Sequence, residues 1–133
     1  MWCHHRPPPI DYAAEFVRIA GMGLLEAGEF KRFYSLLSEN LRRFLNVTLQ
    51  VDTMERTTDE ILEELKSHPK VDLQIYDNIE CYLLTADLVK FAKYVPAINN
   101  AKRATESGVS IVGKIEAAMP PLPTDSETMQ QRG

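Results

Sequence analysis

Glu29-Phe30-Lys31-Arg32-Phe33-Tyr34-Ser35-Leu36-Leu37-Ser38-Glu39-Asn40-Leu41-Arg42-Arg43-Phe44-Leu45 decides the fold class. Phe30, Phe33, Tyr34, Leu37, Leu41, Phe44 and Leu45 recur at intervals of three and four, which puts them on one side of an α-helix. Lys31, Arg32, Ser38, Glu39, Arg42 and Arg43 fall mostly away from that side. The run therefore predicts a long amphipathic helix, whose apolar face needs other elements to cover it. Arg42 and Arg43 suit the negative end of its dipole, and Asn46 is the expected C-terminal cap.

Working outward, the same spacing recurs. Asp11 to Leu25 carries Phe16, Ile19, Ala20, Gly23 and Leu24 on one side and predicts a helix, weakened by Gly21 and Gly23 and stopped by Gly28. Thr57 to Lys66 predicts a short helix with Ile61, Leu62 and Leu65 inward. Thr57 and Glu60 stand at capping-box spacing, each able to satisfy a backbone N–H that the first turn leaves free. Pro69 prevents continuation past His68. Asp72 to Tyr94 predicts a long helix with Ile75, Tyr76, Ile79, Leu83, Ala86 and Phe91 on its apolar face, ended by Pro96. Ala97 to Glu116 completes the set, its Ala97, Ala101, Ala104 and Gly108 small enough for close helix approach. The expected fold is all-α, about five helices in a small orthogonal bundle.

One alternative follows from Val47-Thr48-Leu49-Gln50-Val51 and Val71-Asp72-Leu73-Gln74-Ile75, which alternate at period two. Two short strands there would make a winged-helix-like domain. The helical pattern continuing after Ile75, and the lack of a tight hairpin turn between the two runs, argue against it.

Composition bounds the rest. The chain has 133 residues, 44% hydrophobic and 26% charged, with a net charge of −4. That is one ordinary domain without the basic surface of a nucleic-acid binder. Two cysteines cannot build a disulfide framework. No run of eighteen apolar residues exists to span a bilayer. Pro7, Pro8 and Pro9, then Pro120, Pro121 and Pro123, punctuate the ends. The expected organisation is a flexible N-terminal segment or membrane-proximal boundary over 1–10, a helical domain over 11–117 and a disordered tail over 118–133. Met1-Trp2-Cys3-His4-His5-Arg6 is too short and polar for a signal peptide, while Trp beside His and Arg suits a membrane–water boundary.

Few side chains present themselves for chemistry. Cys3, His4 and His5 are metal ligands by type, at the wrong spacing for a structural zinc site. Cys81 and His68 do not form a nucleophile–base pattern, and Cys81 is expected as a partly buried thiol in mid-helix. Gly21-Met22-Gly23 lacks the lysine and hydroxyl residue of a phosphate loop. Asp59, Glu60, Glu63 and Glu64 read as the solvated face of a short helix. The expectation is therefore no catalytic residue, no cofactor and no metal. The most informative group is Asp87, Lys90, Phe91 and Tyr94. Phe91 is expected in the core, with Asp87, Lys90 and Tyr94 on an adjoining strip. Asp87 is expected to be partly buried and hydrogen-bonded, and Lys90 or Tyr94 to meet a partner.

Gly23-Leu24-Leu25-Glu26-Ala27-Gly28-Glu29-Phe30-Lys31-Arg32-Phe33-Tyr34-Ser35 and the run Leu36 to Leu45 resemble a recurrent stretch of bacterial membrane proteins. Thr57-Thr58-Asp59-Glu60-Ile61 is similar to that family's next helix start. Thr85-Ala86-Asp87-Leu88-Val89-Lys90-Phe91-Ala92-Lys93-Tyr94 resembles its most distinctive run. The family is the cytoplasmic tail domain of BatD-like and related proteins, encoded beside MoxR-type AAA+ ATPases and von Willebrand factor A proteins. The resemblance covers Gly23 to about Ala101. It implies a non-enzymatic, all-helical interaction module at the cytoplasmic face of the bacterial inner membrane, working with that ATPase system. Membrane attachment would come only from a segment outside this chain. No catalytic residue belongs to the family's pattern. Asn46 to Thr53 departs from it, lacking the glycine-containing loop usual there. A helix-turn-helix DNA-binding domain beginning at Thr57 is the alternative, disfavoured because the acids of that helix would face phosphates.

Overall fold

The computed structural model describes residues 10–119. Five α-helices follow one another: α1 (Tyr12–Ala20), α2 (Phe30–Leu49), α3 (Thr58–Leu65), α4 (Leu73–Phe91) and α5 (Ile98–Ala118). No strand occurs among the described residues. Val47 to Leu49 closes α2 and Leu73 to Ile75 opens α4, so both period-two runs are helical at the positions they share with these elements. The expectations for Cys3, His4 and His5, for the first proline cluster and for the chain beyond Met119 lie outside the described residues.

The centre of the bundle is α2, which packs on α1, α4 and α5. Its Phe33, Leu37, Leu41, Phe44 and Leu45 are buried, as their spacing requires. Asn40, also buried, donates from Nδ2 to the carbonyl of Tyr12 at 3.0 Å, tying the start of α1 to the middle of α2. The Tyr12 and Phe44 rings meet edge-on at 5.5 Å between centroids.

Asn46 does not cap α2. The helix runs one further turn to Leu49 and ends at Gln50 in the left-handed region, φ 58°. Asn46 instead donates from Nδ2 to the carbonyl of Val51 at 3.1 Å. Thr53 donates its hydroxyl to the carbonyl of Arg42, and both Val51 and Thr53 are buried. The turn after α2 is thus pinned back against the helix by Asn46 within it and Thr53 beyond it.

Asp11 caps α1, accepting from the N–H of Ala14 at 3.0 Å. The helix stops at Gly21, earlier than the expected Leu25. Gly23 and Gly28 take φ of 77° and 76°, a conformation that side chains resist, and the chain turns between them. Leu24 and Leu25 are buried from that turn rather than from a helix.

The small residues of α5 do what close approach requires. A Cβ on Gly108 would stand 2.6 Å from Cε1 of Phe16, so only glycine admits the Phe16 ring there. The helix extends two residues past the expected Glu116, and Met119 is half-buried against the core.

His68, isolated in sequence, clamps the connection between α3 and α4 to the end of α2. Its Nδ1 accepts from the N–H of Lys70 at 3.1 Å. The other ring nitrogen, Nε2, then carries the proton and donates to the carbonyl of Leu49 at 3.0 Å.

Candidate functional site

Helix α4 is apolar on two sides. Ile75, Ile79, Tyr82, Leu83, Ala86 and Val89 face the core. Leu84, Leu88 and Phe91, at intervals of four and three, form an outer line and are 41%, 49% and 76% exposed. Phe91 therefore lies outside the core, contrary to expectation. Two positions beyond Val89 the helix has turned about 200°, so an inward Val89 sends Phe91 outward.

Lys90 lies beside this line. Its ammonium stands 5.0 Å from the centroid of the Phe91 ring, within cation–π reach. Partial burial holds the Lys90 pKa below the usual lysine value, and the Arg42 guanidinium adds to this, against the opposing pull of Asp87 and Glu39. Among the described residues neither Arg42 nor Lys90 has a carboxylate within 4.0 Å, whereas Arg43 pairs with Glu39 and Arg56 with Glu64. Arg42, Met54, Arg56, Asp87, Lys90 and Phe91 share the wall of a shallow depression of about 520 Å³.

Asp87 is half-buried, as expected, but the hydrogen bonds expected of it are absent among the described residues, and so is any ion pair. Tyr94 leaves the strip altogether. Lys93 adopts φ 58°, and the N–H of Tyr94 turns back to the carbonyl of Leu88 at 3.1 Å. The intervals that align Asp87, Lys90 and Tyr94 hold only while the helix continues, and α4 ends at Phe91.

The Thr57–Glu60 capping box is present. The N–H of Glu60 donates to the Thr57 hydroxyl at 3.3 Å, and the N–H of Thr57 donates to the Glu60 carboxylate at 3.0 Å. The Thr57 N–H, and after it the Thr57 hydroxyl donating at 3.1 Å, hold the Glu60 carboxyl below its ordinary range. Asp59, Glu60 and Glu63 are exposed, while Glu64 is half-buried and engaged by Arg56. No group of three His, Cys, Asp or Glu among the described residues is arranged to hold a metal. No helix among them is long and apolar enough to cross a membrane.

A second concavity, about 610 Å³, opens between α4 and α5. Asn78, Cys81, Tyr82 and Thr85 reach it from α4, at intervals of three, one and three. Arg103, Ser107 and Lys114 line it from α5, Tyr34 from α2, and Tyr94 from the turn after α4. Cys81 is exposed here, not partly buried as expected. Burial and the neighbouring Tyr94 push the Tyr34 phenol up to about 12, and burial with Tyr34 raises Tyr82 further. Sequence reading missed this cleft. Its only linear signal is a stripe of short polar residues at helical spacing on two successive helices, which also describes an ordinary solvated face.

Compared with family models, curated proteins and solved structures, the chain has no match.

Proposed function

We propose that the chain is a non-enzymatic protein-interaction module and that its partner docks along the outer line of α4. The observation that carries this reading is the exposed run Leu84, Leu88 and Phe91, ending beside Arg42 and Lys90, two cations without an ion-pair partner among the described residues. Apolar side chains at helical spacing are how one helix receives another. The adjacent cations select a partner segment that carries acidic residues beside its apolar anchors. The resemblance to BatD-like cytoplasmic tail domains supports a MoxR-type AAA+ ATPase or a von Willebrand factor A protein as the source of that segment. It likewise supports work at the cytoplasmic face of the bacterial inner membrane, with attachment made outside the described helices.

The test is a calorimetric titration of this protein with the purified ATPase and von Willebrand factor A protein of the same organism. Binding is expected to weaken at least tenfold with Phe91→Asp and with Lys90→Glu, and to weaken as salt rises. Both variants should keep the parent's urea midpoint. Failure of both candidate partners to bind removes the partner assignment. Binding indifferent to Phe91→Asp and Lys90→Glu removes the α4 docking line.

A further inference from the structure

The outer side of α4 carries more than its apolar line. At about 100° of turn per residue, Leu73, Asp77 and Phe91 fall within about 20° of Leu84, and Glu80 and Leu88 within about 40°. Leu73, Asp77, Leu84, Leu88 and Phe91 are exposed and Glu80 is half-buried, so one strip runs the length of the helix. Its two ends differ in charge. Asp77 and Glu80 stand toward the N-terminus. Lys90 stands at the C-terminus, with Arg42 of α2 on the wall of the same depression and Lys93 just beyond the helix. Half-buried Asp87 offsets only part of that positive charge. Among the described residues Asp77, Glu80, Arg42, Lys90 and Lys93 have no ion-pair partner.

The outer line selects a segment with carboxylates beside apolar anchors, and α4 is itself such a segment. A second copy laid antiparallel sets the acidic end of each strip on the basic end of the other, so the complementary contact is made twice. The two-fold axis relating antiparallel helices crosses them both, and it brings the same flank of each copy together. Glu80 and Lys90 share a flank: both are reached by turning the same way from Leu84, by about 40° and about 120°. They are separated by about 15 Å along the helix, too far to pair within one chain. With the axis passing between Leu84 and Thr85, Lys90 comes level with Glu80 of the second copy. Leu84 then meets its own counterpart, and Phe91 covers the stretch between Asp77 and Glu80 of the second copy. A parallel pairing would instead set Lys90 beside Lys90 and Glu80 beside Glu80.

We infer that the outer face of α4 pairs antiparallel with the same face of a second copy of this chain, Lys90 of each copy meeting Glu80 of the other. The inference rests on reading the outer line as a docking surface and names its occupant. A helix of nineteen residues is about 28 Å long. Pairing along one face of it buries less than the about 1,600 Å² of a standard interface, so the dimer is weak and exchanges readily. The same face is then shared between a second copy and any other partner that carries acidic residues beside apolar ones.

The experiment is sedimentation equilibrium of the full chain under reducing conditions, at protein concentrations up to about 1 mM and at low and high salt. A monomer–dimer equilibrium is expected, with a Kd of about 100 μM at low salt that weakens as salt rises. Phe91→Asp, Lys90→Glu and Glu80→Lys should each weaken it about tenfold or more while keeping the parent's urea midpoint, since every change acts twice in the pair. Mixed in equal amounts, Lys90→Glu and Glu80→Lys chains should recover the dimer, because opposite charges then meet at both crossings. Three results would each overturn the inference: a chain that stays monomeric at about 1 mM, no recovery on mixing, or a dimer unchanged by Phe91→Asp. The docking line itself is judged separately, by the calorimetric titration of its candidate partners with Phe91→Asp, so the two readings fail independently.

Discussion

Helices α2 and α4 are almost the same length, twenty and nineteen residues, yet they dispose of their apolar side chains differently. On α2 nearly every large apolar residue turns inward, Val47 being the exposed exception. On α4 an inner set meets the core while Leu73, Leu84, Leu88 and Phe91 face out. Periodicity reads the first helix well because only one rotation about its axis hides the apolar residues. It reads the second poorly because two rotations hide a comparable number. The difference also divides the molecule into a tight side, where α1, α2 and α5 meet, and an open side along the outer surface of α4.

The largest expected effect is the contrast itself. Leu41→Ala, at a fully buried site on α2, should cost about 2–5 kcal/mol in a urea melt. Leu88→Ala, half exposed on α4, should cost less than about 1 kcal/mol. Equal losses would mean that the outer line of α4 is covered in solution. Next comes the tight side. Gly108→Ala drives a methyl into the Phe16 ring and should cost about 1–3 kcal/mol. On the same helix Gly113 has open space around it, so Gly113→Ala should instead stabilise by about 0.5–1 kcal/mol through helix propensity. Thermal melts of the two glycine variants should therefore shift in opposite directions. Thr57→Ala, removing the cap of α3, should cost about 1 kcal/mol. Smallest is Asp87→Ala, expected within about 0.5 kcal/mol of the parent because no hydrogen bond or ion pair among the described residues depends on that carboxylate. A larger loss would reveal a partner for Asp87 and sharpen the boundary of the open side.

What was legible in the sequence follows the range of the forces involved. The α3 cap was readable because Thr57 and Glu60 bond within one turn. The α2 core residues were readable because a single period names them. The end of α2 was not, since Asn46 is a credible local cap. What carries the helix on to Leu49 is the turn pinned by Val51, Thr53 and His68, a tertiary arrangement. Leu24 and Leu25 showed that they would be buried but not that a turn would bury them. In the candidate site, the departure of Tyr94 depends on one left-handed residue, Lys93, whose identity gives no warning. The α4–α5 cleft depends on how two helices are rotated against each other, which no local pattern encodes.

The buried phenols of Tyr34 and Tyr82 have a consequence for proton linkage. An exposed tyrosine in an unfolded chain ionises near pH 10. In the folded protein Tyr34 is pushed up to about 12, and Tyr82 is raised further still. Below about pH 10 both forms hold these protons, and the phenols make no pH-dependent contribution. Above it the unfolded chain releases protons that the native one retains, so stability falls with rising pH, through about 12 for Tyr34 and beyond for Tyr82. Alkali should therefore unfold this protein with the uptake of hydroxide, and the part of the phenolate absorbance that belongs to Tyr34 and Tyr82, read by comparison with their phenylalanine variants, should rise together with the loss of helix. Tyr82→Phe should move that coupled transition to higher pH.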